Sequence, residues 1–269
     1  MDWPTRRRPV VPAPAGGRAS AAPARAPAVA SGAVPPVPER IAAPAEILHR
    51  TSNGLKELLA SINGVERGEV LDLAPVSQAT VDFFTSRGFR LYSQDLLRSW
   101  REFLSEELER PVSPVGSAGH RAAAREAVPA GRTADAPPAP ADDPEDPTLR
   151  PARFFARHLW FDAPRFHGAL LWDALDYLEP AAGKALVARL GEILRPGAVA
   201  LLHLHDKPPE RFWRYRVQDS QTLECVPAAS PVAFQRIIPN REIMNLFHDF
   251  RSSKTFVGRD QIREVLFFR

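Results

Sequence analysis

The sequence predicts an α/β fold, a mostly parallel sheet with helices on both faces, and three observations predict it. Short apolar runs of strand composition alternate with stretches of 3.6-residue periodicity, the pattern that packs helices against a parallel sheet. Two further runs rich in strand formers close the chain, joined at Gly258-Arg259-Asp260-Gln261, so a C-terminal antiparallel hairpin is expected at a sheet edge. Prolines are confined: of 28, ten fall in residues 1–44 and nine in residues 111–151. Those two stretches, rich in Ala, Pro, Arg and Gly and nearly free of aromatic residues, cannot bury enough apolar surface to offset the entropy of ordering them. Residues 1–44 therefore read as a disordered tail and 111–151 as a disordered, extended linker, leaving one domain in two parts, 45–110 and 152–269.

Taken in order, Ala45–Asn63 places Leu55, Leu58, Leu59 and Ile62 on one helical face before Gly64. Glu69–Leu73, EVLDL, is a short strand that meets a turn at Ala74-Pro75. Ser77 is a candidate N-cap for a helix carrying Ala79, Val81, Phe83 and Phe84. Phe89–Ser93 has strand composition and ends at Asp95, and Leu96–Glu109 is a helix with Leu97, Trp100, Phe103, Leu104 and Leu108 inward. Beyond the linker, Ala169–Trp172 is a buried strand, and Pro180–Leu194 is a helix with proline in its first turn. A tight turn at Pro196-Gly197 leads into the strand Val199–Leu204. Lys207–Pro239 reads as an irregular, partly aromatic excursion, Asn240 as the cap of a helix reaching Phe247, and Ser253–Val257 and Arg263–Phe268 as the closing strands.

Charge and cysteine content exclude several classes. The formal charge is +3, but residues 1–44 alone carry +4, so the folded part is not basic and gives no footprint for nucleic acid. Arg6–Arg8 read as a solvated basic end. With the single Cys225 there is neither an intrachain disulfide nor a multi-cysteine zinc site. No apolar run reaches the roughly 18–20 residues of a membrane helix, and no hydrophobic segment follows the first arginines. A cytoplasmic protein is the expectation.

Glu69–Leu73 with its following turn, Asp95, the stretch FHGALLWDALDYL (Phe166–Leu178) and Leu194-Arg195-Pro196-Gly197 stand in an order that resembles the class I S-adenosylmethionine-dependent methyltransferases, over most of residues 65–269 outside the linker. The resemblance implies a Rossmann-like, mostly parallel seven-stranded sheet with S-adenosylmethionine as cofactor, and leaves only Phe154–Phe161 to supply its third strand. It places Asp72 at the family's first-strand acid and Asp95 at or just past the acid that holds the ribose hydroxyls. The chain departs at the cofactor turn, where Ala74, Val76 and Gln78 stand at the family's glycine positions. A β-branched Val76 resists the backbone conformations that glycine allows. The N-methyltransferase signature of Asn or Asp followed by Pro-Pro and an aromatic is absent.

The candidate cofactor-binding residues are therefore Asp72, Ala74, Val76, Gln78, Asp95 and Trp172; the candidate catalytic residues are Asp173, His203 and His205. Asp72 either approaches a ligand or orients the turn, and Asp95 either accepts two hydrogen bonds from a diol or caps the helix at Leu96. Trp172 is either core or packs on a sulfonium, and Asp173, with Asp176 and Tyr177 after it, either holds a substrate or caps a turn. His203 and His205 lie on one strand face and could serve as metal ligands, as a general base, or as structural histidines; without a third ligand no metal site is assigned. Cys225 reads as a small apolar residue. Arg236, Asn240, Arg241 and Glu242 cluster around a helix start, which explains Asn240 as a cap, while Arg241 either belongs to the same helix start or forms a wall of the substrate pocket. The expected partner is a methyl-acceptor substrate of unknown identity, with tail and linker available to a protein partner. The competing expectation is a binding or scaffold protein that keeps the fold without the cofactor.

Overall fold

A computed structural model describes residues 46–109, 146–161, 163–258 and 260–269. The stretches read as tail and linker lie outside the described residues, apart from the linker's last six. Residues Pro147–Leu149 of these form a 3₁₀ turn capped by Asp146.

The elements run β1 (Leu48–Thr51), α1 (Asn53–Ser61), β2 (Glu69–Asp72), α2 (Gln78–Thr85), β3 (Arg90–Ser93), α3 (Leu96–Glu109), α4 (Arg150–His158), β4 (Phe166–Trp172), α5 (Ala174–Tyr177), α6 (Pro180–Ile193), β5 (Leu194–His205), β6 (Phe212–Val217), β7 (Thr222–Ala228), α7 (Asn240–Leu246), β8 (Ser252–Val257) and β9 (Ile262–Phe268). Two sheets result. The larger has the order β3-β2-β4-β5-β9-β8, and the smaller has the order β1-β7-β6. In the larger, β3, β2, β4 and β5 are parallel, while β9 runs antiparallel to both β5 and β8. This is the Rossmann-like series ending in a reversed strand pair, in six strands among the described residues where seven were expected.

Side chains of the parallel strands alternate between two cores, as the two-residue strand period requires. Leu71, Ala169, Leu171, Ala200, Leu202 and Leu204 face one core, with α3, α4, α6 and α7. Val70, Leu170, Trp172, Val199 and Leu201 face the other, which is covered by α1, α2 and the smaller sheet through Tyr215, Val217, Leu223 and Cys225. Every odd residue from Val199 to His205 lies on that second face, so His203 and His205 point toward the smaller sheet.

Several expectations are corrected. Ala45–Asn63 is not one helix: Leu48–Thr51 pairs with β7, and the helix begins after Ser52, whose hydroxyl accepts the Leu55 N–H at 2.9 Å. Phe154–Phe161 is not the third strand. Arg150–His158 is helical, with Pro151 in its first turn and Phe154 and Phe155 buried on one side. The turn at Pro196-Gly197 is a bulge inside β5, where the register with β4 shifts between Phe166 and Gly168 and Gly197 takes φ +84°. Lys207–Pro239 contains two regular strands. Of the closing pair only β8 lies at the sheet edge; β9 is interior. Leu108, expected inward, is exposed. Asn240 does not cap α7: the cap residue is Pro239, and the Asn240 side-chain oxygen accepts instead from Arg263.

One close approach explains how the smaller sheet is tied down. At Gly54 a Cβ would lie 2.6 Å from the Leu201 side chain and 3.1 Å from Glu264 Cβ, so glycine lets the start of α1 approach β5 and β9 without displacing either side chain. There the Gly54 N–H donates to Glu264 of β9 at 2.5 Å. Arg50 of β1, itself buried, completes the tie with a 3.1 Å ion pair to Glu264 and a contact to Asp260.

Candidate functional site

Open α/β sheets bind ligands at the carboxyl ends of their strands. Here those ends bring Asp72, Asp95, Trp172, Asp173 and His205 to one region, roofed by β6. Trp172 sits at its centre in the left-handed backbone region, φ +51°, a conformation that costs a non-glycine residue energy and persists only when its surroundings hold it. Two contacts do so: its indole N–H donates to Asp72 Oδ1 at 2.7 Å, and its ring stacks on Tyr215 with centroids 5.3 Å apart. His203 packs edge-on against both rings.

Asp72 is thereby committed. Its Oδ1 also accepts the Ala74 N–H, at 3.2 Å, and burial pushes its carboxyl up to about 7 against those two hydrogen bonds. It orients the turn from beneath. Ala74, Asp95 and Trp172 line the cleft above, together with Asp173, Trp213 and Tyr215. Val76, 74 % exposed, does not line it; nor does Gln78, whose amide donates to Asp82 at 2.7 Å on the outer surface. Asp95 Oδ1 accepts the Arg98 N–H at 3.3 Å, so it caps α3 while lining the cleft. The cleft's free volume is about 30 Å³, space for little more than a water molecule.

Beside the cleft stands a buried acid–base cluster. Asp176 Oδ2 lies 2.9 Å from His205 Nδ1 and accepts the His205 backbone N–H at 2.8 Å. With Nδ1 committed, Nε2 is the ring atom left for proton exchange, and Asp173 Oδ2 is 4.0 Å from it. Burial pulls His205 down, but the bond to Asp176 and the charges of Asp173 and Asp176 outweigh it, and its pKa is raised. Burial, offset in part by His205 and reinforced by Asp176, pushes Asp173 up to about 7. Asp173 Oδ2 and Asp176 Oδ1 have no hydrogen-bond partner within 3.5 Å among the described residues. Buried carboxylate oxygens left unpaired are costly, and such groups concentrate where chemistry needs shifted protonation.

His203 is separate from this cluster. It is fully buried, its Nε2 is 3.5 Å from Arg50, and burial followed by the Arg50 charge holds its pKa well below the usual value. It does not line the cleft and packs against Trp172 and Tyr215. Cys225 is likewise buried on β7, and burial pushes its thiol up to about 11. Arg236 pairs with Glu242 at 2.5 Å, and Arg241 is exposed. No group of three or more His, Cys, Asp or Glu side chains among the described residues could hold a metal ion. No helix among them is long and apolar enough to cross a membrane. Trp213 and Tyr215 belong to the aromatic excursion Lys207–Pro239; what sequence reasoning missed is that they stand on a regular strand, β6. The alternation in Phe212-Trp213-Arg214-Tyr215 was the available signal for a strand there.

No family profile matches the chain, and no curated protein matches it in sequence. Similar solved structures include the glycopeptide N-methyltransferase MtfA complexed with S-adenosyl-L-methionine, at 15 % identity, covering 80 % of this chain and 94 % of that one, TM-score 0.36. Another is the Burkholderia thailandensis 1,6-didemethyltoxoflavin-N1-methyltransferase with bound 1,6-didemethyltoxoflavin and S-adenosylhomocysteine, at 15 % identity and 80 % and 76 % coverage, TM-score 0.34. The PH0226 protein from Pyrococcus horikoshii OT3 is 14 % identical over 79 % of this chain and 88 % of that one, TM-score 0.34.

Proposed function

We propose that this chain is an S-adenosylmethionine-dependent methyltransferase whose proton-handling group is His205, oriented by Asp176 and flanked by Asp173. The observation that carries the reading is the Asp176–His205 pair, 2.9 Å apart and buried at the carboxyl ends of β4 and β5 next to the cleft. The cofactor, when bound, supplies an electrophilic methyl sulfonium. The chain's own contribution is to hold the acceptor, take its proton at His205 Nε2 and keep water out; proximity and orientation supply most of the acceleration in such a transfer.

One donor suits the cofactor: Asp95 lines the cleft with a carboxylate able to take a diol, whereas Trp172 borders the cleft with its ring buried and stacked on Tyr215. Space sets a condition. Sites for drug-sized ligands occupy roughly 300–1,000 Å³, so a cleft of about 30 Å³ admits a nucleoside only when the Phe212–Tyr215 edge of β6 moves off it. The same closure favours the second reading, a methyltransferase-fold binding protein without cofactor.

Isothermal titration of protein freed of co-purified ligand, with S-adenosylmethionine and S-adenosylhomocysteine, separates the two. Micromolar binding that weakens about tenfold in Asp95→Asn, which keeps the cap acceptor and removes the charge, is the result expected. Absence of heat at millimolar ligand, in the wild type and in Trp213→Ala with its opened roof, sinks the enzyme reading.

A further inference from the structure

A second hollow, about 350 Å³, opens on the other side of Trp213 and has His205 in its wall. We infer that it binds a small hydroxylated aromatic carboxylate as the acceptor, an assignment that rests on the methyltransferase reading for its purpose but not for its binding chemistry. The size is within the range of small-molecule sites. Trp213 supplies a broad aromatic wall, with the Arg211 guanidinium 5.5 Å from its ring centroid, and Ile262 and Pro209 add apolar surface. The charged groups lining it are Lys207, Arg211, Glu210 and Asp260. Asp260 shares Arg50 with the buried Glu264, so the lining holds two cations and two acids, of which Asp260 is already engaged. Neither Lys207 nor Arg211 has a carboxylate partner among the described residues, and both are exposed at the mouth, where they can take an anion.

The geometry orders the ligand. Its carboxylate lies at the Lys207–Arg211 mouth, its ring lies on Trp213, and its hydroxyl reaches the imidazole whose Nδ1 Asp176 already holds. The unpaired Asp173 Oδ2, 4.0 Å from Nε2, gives the interior end of the site a second proton acceptor. Trp213 borders both the hollow and the cleft, so a hydroxyl at His205 stands beside the place where a methyl donor would lie.

The test is titration of the full chain with 4-hydroxybenzoate, without cofactor, so that its outcome is read independently of S-adenosylmethionine binding. A submillimolar Kd is expected. It should weaken at least tenfold in Lys207→Ala/Arg211→Ala, whose exposed positions leave folding untouched, and similarly when benzoate or phenol replaces the probe. His205→Gln should abolish the preference for 4-hydroxybenzoate over benzoate. Failure to bind at 10 mM, affinity unchanged in the double variant, or equal affinity for benzoate overturns the assignment. If 4-hydroxybenzoate binds as expected while S-adenosylmethionine does not, the hollow stands and the methyltransferase reading falls.

Discussion

Asp72 closes β2 with its carboxylate enclosed beneath the turn, where it accepts from the Trp172 indole and the Ala74 amide. Burial raises its pKa from 3.8 to about 7. The folded protein therefore keeps a proton that the unfolded chain releases above pH ~4, and the stability linked to this group is full below that pH and lost as pH rises through about 7. Three pKa units correspond to about 4 kcal/mol. In Asp72→Asn the side-chain oxygen still accepts both hydrogen bonds, and no charge is left to bury. Thermal unfolding should show the variant matching wild type near pH 4 and exceeding it by several degrees at pH 8. Parallel pH curves for the two proteins would contradict the buried, protonated state of Asp72. The acid at this position was legible in the sequence through the resemblance; its commitment to Trp172 was not, because that bond joins residues a hundred apart and depends on the positive φ at Trp172.

Among the elements, those whose partners are close in sequence or whose periodicity is unmixed were legible: β2, α2, β3, α3, β4 and α6 lie close to where the pattern puts them. The failures have different causes. β1 is a short strand whose pairing with β7 joins residues near 50 to residues near 225, and local composition carries no record of that contact; β6 and β7 form a local hairpin whose alternation was passed over. In α4 the aromatic pair Phe154-Phe155 imitates a strand, but Arg153 and Arg157, one turn apart, both reach α3, at Glu107 and Glu106. Reading Trp213 and Tyr215 as part of an irregular excursion meant missing β6, and with it the closure of the cleft. The link between the sheets is testable. Arg50→Met leaves Glu264 buried without its ion-pair partner and should cost about 3 kcal/mol in urea unfolding, as expected for breaking a buried pair. Arg50→Met/Glu264→Gln removes the stranded charge, so its loss should be smaller than that of the single variant plus Glu264→Gln. Strict additivity would show that the two side chains do not act together.

For the whole chain, the question is what the stretch between α3 and α4 contributes. The two helices hold each other without it: Glu107 pairs with Arg153 at 3.2 Å and with Arg150 at 3.5 Å, and Phe154 packs against Trp100 and Phe103 with centroids 4.9 and 5.3 Å away. The ends of the interruption are thus fixed by buried contacts of the fold itself, and loop-closure entropy changes by only about 0.6 kcal/mol per doubling of length. Replacing residues 111–145 with roughly a dozen Gly and Ser residues, spanning on the order of 20 Å, should leave Tm within about 2 °C and the 4-hydroxybenzoate affinity unchanged. A fall of about 8 °C or more, equivalent to some 2 kcal/mol or more for a domain of this size, would mean that the replaced residues bury surface against the fold and are not a spacer. With stability and binding both intact, the Pro- and Ala-rich stretch is left to act on something outside the domain, and pull-down with the isolated 111–145 peptide becomes the way to find it.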